Sequence, residues 1–439
     1  MKHEGRRAIR GPWISFIDDP MLAGEPDALH HEPDGLILIE DGIITQAGAW
    51  GALCDELEGI RVDHYPNKLI MPGFIDTHVH YPQLQIIGAY GKQLVDWLEH
   101  YTFPAEQRFS DPVYARAVAD RFLDECLRAG TTTASVYCTV HPASVDAFFE
   151  AAAQRGMRMQ AGKVLMDRNA PEGLRDTAQQ GYDESATLIR RWHGHERLTY
   201  AITPRFAPSS TPEQLEAAGA LWSQSPGTAM QTHLSENTRE VAWVQSLFPN
   251  HAHYLDVYAH YGLIGPRAVF GHCLHLSEPE WGLLRDSGST IAHCPTSNAF
   301  LGSGLFDFGR AATAGTALQL GLATDVGAGT SLSMLVTMGS AYRMAQLGGH
   351  ALSAARAFYL ATRGGAQALH LADRIGSIAP GMEADLVVMD LKSTPLLEFR
   401  MQHCDSLEEA LFLQMTMADD RAIEAVYIGG ALRHERGSP

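Results

Sequence analysis

Three pairs of histidines stand one residue apart in this chain, and only one of them closes a run that reads as a buried strand. His78-Val79-His80 follows Leu69-Ile-Met-Pro-Gly-Phe-Ile-Asp76. Alternate residues of a strand share a face, so both imidazoles can project from one rigid element. Two such nitrogens begin a site for zinc or iron(II); the alternative is a polar pair at a strand terminus. His193 and His195, beside Arg190 and Arg191, and His251 and His253, after Pro249-Asn250, read instead as surface histidines. Further on, Gln231-Thr-His233-Leu-Ser-Glu236 places a third imidazole at a strand end with a carboxylate three residues later. One suits a metal and the other proton transfer beside it, although a lone strand-end histidine equally serves as a hydrogen-bonded core residue. Ala323-Thr-Asp325-Val-Gly327 sets a carboxylate among small residues, as a ligand or as a turn cap.

These residues need a scaffold that brings distant segments to one place. The hydrophobic pattern predicts eight short strands over Lys68–Ile75, Thr131–Val136, Met157–Leu165, Leu198–Pro204, Ala229–His233, Ala268–His272, Thr290–Cys294 and Leu320–Thr324. Helical stretches alternate with them, among them Pro112–Ala129, Ala143–Arg155, Pro212–Ser223 and Glu236–Leu247. Eight such repeats define an α/β chain folded as a (β/α)8 TIM-like barrel, whose active residues gather at the carboxyl ends of the strands.

Shorter β-rich segments bracket the barrel. Leu36–Glu40, the turn Asp41-Gly42 and Ile43–Ala47 read as a hairpin, and Ile375–Ile378, Asp385–Met389 and Ala425–Ile428 as three further strands. Chain ends commonly lie close together, so residues 1–68 and 375–439 are expected to form a small β-sandwich domain, and residues 69–374 the catalytic barrel.

Composition narrows the function classes. The 439 residues carry 33 Lys plus Arg and 51 Asp plus Glu, a net charge of −18, which argues against nucleic acid or an anionic membrane as partner. With 45% hydrophobic and 19% charged residues the chain can bury a large core. No apolar run approaches the roughly 20 residues of a membrane span. Asp18, Asp19 and Pro20 interrupt the start before a signal core could form. The six cysteines include no C-x-x-C pair, which excludes the small zinc deaminase class and suits a reducing compartment, so a cytoplasmic location is expected.

The segments Met71-Pro-Gly-Phe-Ile-Asp-Thr-His-Val-His80 with Gln83, Tyr101-Thr-Phe-Pro-Ala-Glu106, Thr203-Pro-Arg-Phe206, His233-Leu-Ser-Glu-Asn237, Ala292-His-Cys-Pro-Thr-Ser-Asn298 and Thr324-Asp-Val-Gly327 occur in this order. Together they resemble the amidohydrolase superfamily over roughly residues 36 to 430, and within it the guanine deaminase branch. The resemblance implies one zinc ion per subunit, iron(II) being the alternative, on His78, His80, His233 and Asp325. It adds His272 from Phe270-Gly-His-Cys273, which with Asp325 would orient the attacking water, and makes Glu236 the proton shuttle. Gln83, Arg205 and Phe206 would meet guanine, beside His80, His233, Glu236 and Asp325. Two-metal members carry a modified lysine at the end of the fourth strand; Pro204-Arg205-Phe206 stands there, so a single metal is implied. Lys163 is then structural or a pocket neighbour, and Trp97 core or pocket wall, with core favoured. The implied reaction converts guanine and water to xanthine and ammonia, a step of purine catabolism or salvage, in a homodimer whose contacts could involve Met401–Asp420 or Trp281–Ser287. Deamination of cytosine, adenosine or a triazine ring is the nearest alternative, and a non-catalytic barrel scaffold the alternative of another class.

Overall fold

The computed structural model describes residues 5–90, 94–311 and 318–437. Eight parallel strands follow one another around a barrel: Phe74–His80, Thr131–Tyr137, Arg158–Gly162, Thr199–Pro204, Ala229–Leu234, Ala268–His272, Thr290–His293 and Gln319–Leu322. Helices such as Pro112–Arg128, Pro142–Arg155, Ala178–Trp192 and Pro212–Gln224 cover the outside, each opening on Pro at its first turn or on a side-chain cap. The last strand does not share a ladder with the first. Side chains bridge that seam instead: Thr77 Oγ1 donates to the Leu322 carbonyl at 2.9 Å, and Asp76 accepts from the backbone N–H of Thr324 at 3.0 Å and from its hydroxyl. Beyond it, the amides of Asp325 and His80 donate to the carbonyls of His78 and Val326 at 3.0 and 2.9 Å. The seam thus runs directly into the proposed ligands.

The run expected as the first barrel strand divides in two. Leu69–Pro72, placed with the barrel on sequence, pairs with Leu386–Met389 in the other sheet, and only Phe74–His80 belongs to the barrel. Gly73 is the pivot: a Cβ there would lie 2.3 Å from the Thr132 side chain, so only glycine lets the chain cross between sheets at this point. The third strand is likewise interrupted, Arg158–Gly162 being followed by Val164–Leu165 with Lys163 between them.

Strands from both ends of the chain join in a separate mixed sheet of eight, ordered Ala431–Glu435, Ile423–Ile428, Leu386–Met389, Leu69–Pro72, Arg6–Phe16, Leu29–Glu40 and Ile43–Ala49, with Arg61–His64 beside Arg6–Phe16. The hairpin at Asp41-Gly42 is present, its first strand longer than expected. Ile375–Ile378 is not a strand. Gly376 takes a φ of +88°, and the Ile378 N–H donates to Ser15 Oγ at 2.8 Å rather than to a ladder. Arg158 and Arg197 reach from the barrel to Glu383, and Arg197 also to Asp385, tying the two bodies by buried and half-buried charge.

Candidate active site

The carboxyl ends of the barrel strands open into a cavity lined by both polar and apolar side chains. His80, Gln83, Arg205, Phe206, His233, Glu236, His272 and Asp325 line it, and His78 lies behind Asp325. His78 and His80 project from the first strand, His233 from the fifth, and His272 ends the sixth. Gly271 makes room for this. A Cβ on Gly271 would stand 2.7 Å from the His78 ring, so the neighbouring strand must be bare where that imidazole crosses it.

Ligating atoms of His78, His80, His233 and Asp325 all fall within 4.8 Å of one another. Nε2 of His80 and Nε2 of His233 are 3.2 Å apart, and Asp325 Oδ1 lies 3.3 Å from His78 Nε2 and 3.4 Å from His80 Nε2. The Arg205 carbonyl accepts from His233 Nδ1–H at 2.7 Å, which fixes the tautomer and leaves the Nε2 lone pair facing the cluster. Burial lowers the pKa of His78 and drops those of His80 and His233 far below the ordinary imidazole value, keeping these rings neutral. Burial alone would raise Asp325, but the imidazoles around it, with His78 Nε2 at 3.3 Å and the raised His272 beyond, bring it down to about 2. Both ring nitrogens of His78 and Nδ1 of His80 are buried without a hydrogen-bond partner among the described residues. Neutral imidazoles, one carboxylate and unpartnered buried nitrogens fit a divalent cation. A second set, His78, His272, Cys294 and Asp325, is equally compact, but burial holds the Cys294 thiol well above its usual range, against the thiolate a metal takes.

Beside the cluster stands an acid and base pair. His272 Nδ1–H donates to Asn298 Oδ1 at 2.9 Å, and its Nε2 lies 3.4 Å from Glu236 Oε2 and 3.7 Å from Asp325 Oδ2. Burial pulls His272 down, but the Glu236 and Asp325 carboxylates outweigh it and hold the imidazole above its ordinary pKa. Burial pushes Glu236 up to about 7, against the pull of His272. Ser303 donates to its other oxygen at 3.3 Å. Ser235, His272 and Asp325 take φ values of +50°, +69° and +50°, a left-handed conformation uncommon for non-glycine residues, and all three sit where strands deliver the site.

Across the cavity a second polar group forms around Glu106. Gln83 Nε2 donates to Glu106 Oε1 at 3.0 Å, Arg205 donates to Glu106 Oε2 at 2.7 Å, and the Gly327 amide donates to Gln83 Oε1 at 3.3 Å. Phe206, Leu94, Trp97, Leu98, Leu301 and Ala328 supply apolar wall. Trp97, favoured as core, is buried and also faces the cavity, because residues 94–107 fold over the mouth.

Other polar side chains near the strand ends, and the remaining histidine pairs, fall outside the cavity lining. Lys163 is fully buried against Asp176, with Glu184 at 3.4 Å, and is structural. His293 packs between Phe306 and Phe308, and His275 Nε2 bonds the Ser303 carbonyl at 2.8 Å. His193, His195, His251 and His253 lie at helix ends, half-buried or exposed. Glu106, Asn298, Ser303 and Asp76 were not singled out from sequence. The usable signal for Glu106 was a carboxylate in the apolar stretch Phe103-Pro-Ala, which must find partners if buried.

The chain belongs to the amidohydrolase family, whose sequence profile matches residues 69–433. Among its curated relatives is the guanine deaminase of Escherichia coli K12, 51% identical over 435 residues, 98% of either chain. The solved structure of E. coli guanine deaminase superposes with a TM-score of 0.96 at 50% identity, covering 98% of this chain and 100% of that one. A guanine deaminase from C. acetobutylicum, solved with guanine in its active site, superposes with a TM-score of 0.88 at 29% identity, covering 97% and 99%.

Proposed function

We propose that this chain is a guanine deaminase, hydrolysing guanine to xanthine and ammonia with one zinc ion per subunit held by His78, His80, His233 and Asp325. The observation that carries this is the presence, around one cavity, of a metal-competent cluster, an acid and base pair, and a polar arm of Gln83 and Arg205 held by Glu106. The full-length similarity to guanine deaminases supports the same reading.

A bound divalent cation there lowers the pKa of water toward 7 and supplies a nucleophile at neutral pH. The protein's residues do the rest. Arg205 turns its guanidinium fork toward the O6 acceptor, Gln83 offers amide donor and acceptor to the ring edge, and Phe206 packs on the ring face. That pose sets C2 and its amine against Glu236, His272 and Asp325. Asp325 and His272 orient the attacking water. Glu236, poised near 7, takes its proton and delivers it to the ring nitrogen beside C2, which accepts the charge as the C–O bond forms. His272 stabilises the developing oxygen; Glu236 then takes the proton of the hydroxyl now on C2 and passes it to the amine, so that the C2 carbonyl forms as the C–N bond breaks and ammonia leaves. Among the described residues Pro204-Arg205-Phe206 ends the fourth strand with no lysine, in keeping with a single metal.

A cytoplasmic homodimer completes the proposal. Six unpaired cysteines accord with a reducing compartment. Leu396, Phe399, Phe412 and Met417 stand exposed on the neighbouring helices Pro395–Met401 and Leu407–Met417, an apolar face that a second copy would cover. Sedimentation of the wild type and of a Phe399→Glu variant tests it: the wild type is expected to sediment as a dimer and the variant as a monomer. Ammonia release from guanine, abolished in Glu236→Gln, tests the activity.

A further inference from the structure

Glu106 is the most enclosed carboxylate near the cavity, with no exposed surface, yet it does not line the cavity and contacts none of the proposed metal ligands. It arrives on the short helix Phe103–Gln107, at the end of the same segment whose Leu94, Trp97 and Leu98 wall the mouth. Its two oxygens are divided between two cavity-lining side chains. Oε1 takes the Gln83 amide and Oε2 takes the Arg205 guanidinium.

Two consequences follow from elementary chemistry. An amide turned end for end would set its oxygen against the Glu106 carboxylate and its NH2 against the Gly327 N–H, two repulsive contacts in place of two hydrogen bonds. Gln83 therefore presents one arrangement of donor and acceptor to a ligand. Arg205 is only 3% exposed, and a guanidinium buried to that degree without a counter-charge recruits an anion. Glu106 is that counter-charge.

We propose that Glu106 is a positioning residue for base recognition: it locks the Gln83 amide in one orientation and cancels the charge of Arg205, so that the cavity selects a neutral purine by hydrogen-bond direction rather than an anion by charge. The proposal rests on the assignment of Gln83 and Arg205 to guanine. It bears on turnover, because xanthine, with its second ring carbonyl, gives up a ring proton more readily than guanine. An unpaired Arg205 would hold the product anion.

The test uses zinc-loaded enzyme carrying Glu106→Gln, which keeps the shape and removes the charge, and Glu106→Asp, which keeps the charge and shortens the reach. Guanine kinetics and calorimetric binding of xanthine are measured at neutral and alkaline pH. In Glu106→Gln the guanine KM is expected to rise about tenfold or more while kcat moves less than about threefold, and xanthine is expected to bind more tightly than to wild type, most of all at alkaline pH. Glu106→Asp is expected to raise KM but to leave xanthine binding as in wild type. If Glu106→Gln does not fold, Glu106→Asp decides alone, an unchanged KM overturning the proposal. Loss of kcat and zinc with KM and xanthine affinity unchanged would reduce Glu106 to a structural role. A wild type inert toward guanine would instead overturn the functional assignment beneath it.

Discussion

Glu236 carries the sharpest residue-level expectation. Its carboxyl is pushed up to about 7 by burial, and the proposed chemistry starts from the carboxylate. Lowering the pH through 7 adds the proton that the group must be free to accept, so kcat/KM should decline with unit slope below about pH 7. Glu236→Gln should lower kcat by about 1000-fold and abolish that limb. Asn298 fixes His272 through Nδ1, so Asn298→Ala should lower kcat about tenfold or more with zinc content unchanged, measured on the same sample. At this scale the sequence was legible where chemistry-bearing residues end a strand, as His78, His80, His233 and Asp325 do. Glu106 was not, because nothing in local spacing tells that residues near 83, 106 and 205 meet.

Elements deliver these side chains through close approaches that tolerate no extra atom. Gly271→Ala would place a methyl 2.7 Å from the His78 ring and displace a proposed ligand without touching the cavity wall. The expected result is a folded protein whose zinc affinity, read by chelator competition, falls about 10–100-fold. Asp76 spans the seam with its bonds to Thr324 and the His78 amide, and Asp76→Ala should cost about 2 kcal/mol or more of stability, read as a lower Tm. The eight barrel strands were readable as short apolar runs between helical stretches. The division of Leu69–Pro72 from Phe74–His80 was not, since both halves are apolar and a continuous buried run has no periodicity to break at Gly73. Arg6–Phe16, central in the terminal sheet, escaped notice because its arginines and Pro12 disguise the apolar residues Ala8, Ile9, Trp13, Ile14 and Phe16.

The whole molecule joins ends and middle. The terminal sheet takes strands from both ends and one from the chain just before the first barrel strand, so the same backbone that leaves Leu69–Pro72 enters Phe74–His80 and the ligand pair. A cation bridging the first, fifth and eighth strands at the seam would bind the folded state alone. Stripping zinc with a chelator should therefore lower Tm by about 2–6 °C, and zinc should restore it. The charge of −18 leaves the surface unsuited to polyanions, and among the described residues no helix is long and apolar enough to cross a membrane. Recognition of a small substrate falls to the cavity at the barrel mouth, where the polar and metal-competent side chains converge. The central claim is that it deaminates guanine, and the direct measurement is ammonia release by purified wild type and Glu236→Gln offered guanine, adenine, cytosine and ammeline, with zinc determined on each sample. The account predicts rapid release from guanine by the wild type, about one zinc per chain in both proteins, and near-silence from the variant. Release from another ring with guanine untouched would contradict the roles given to Gln83 and Arg205, and a metal-free, inert wild type would contradict the account as a whole.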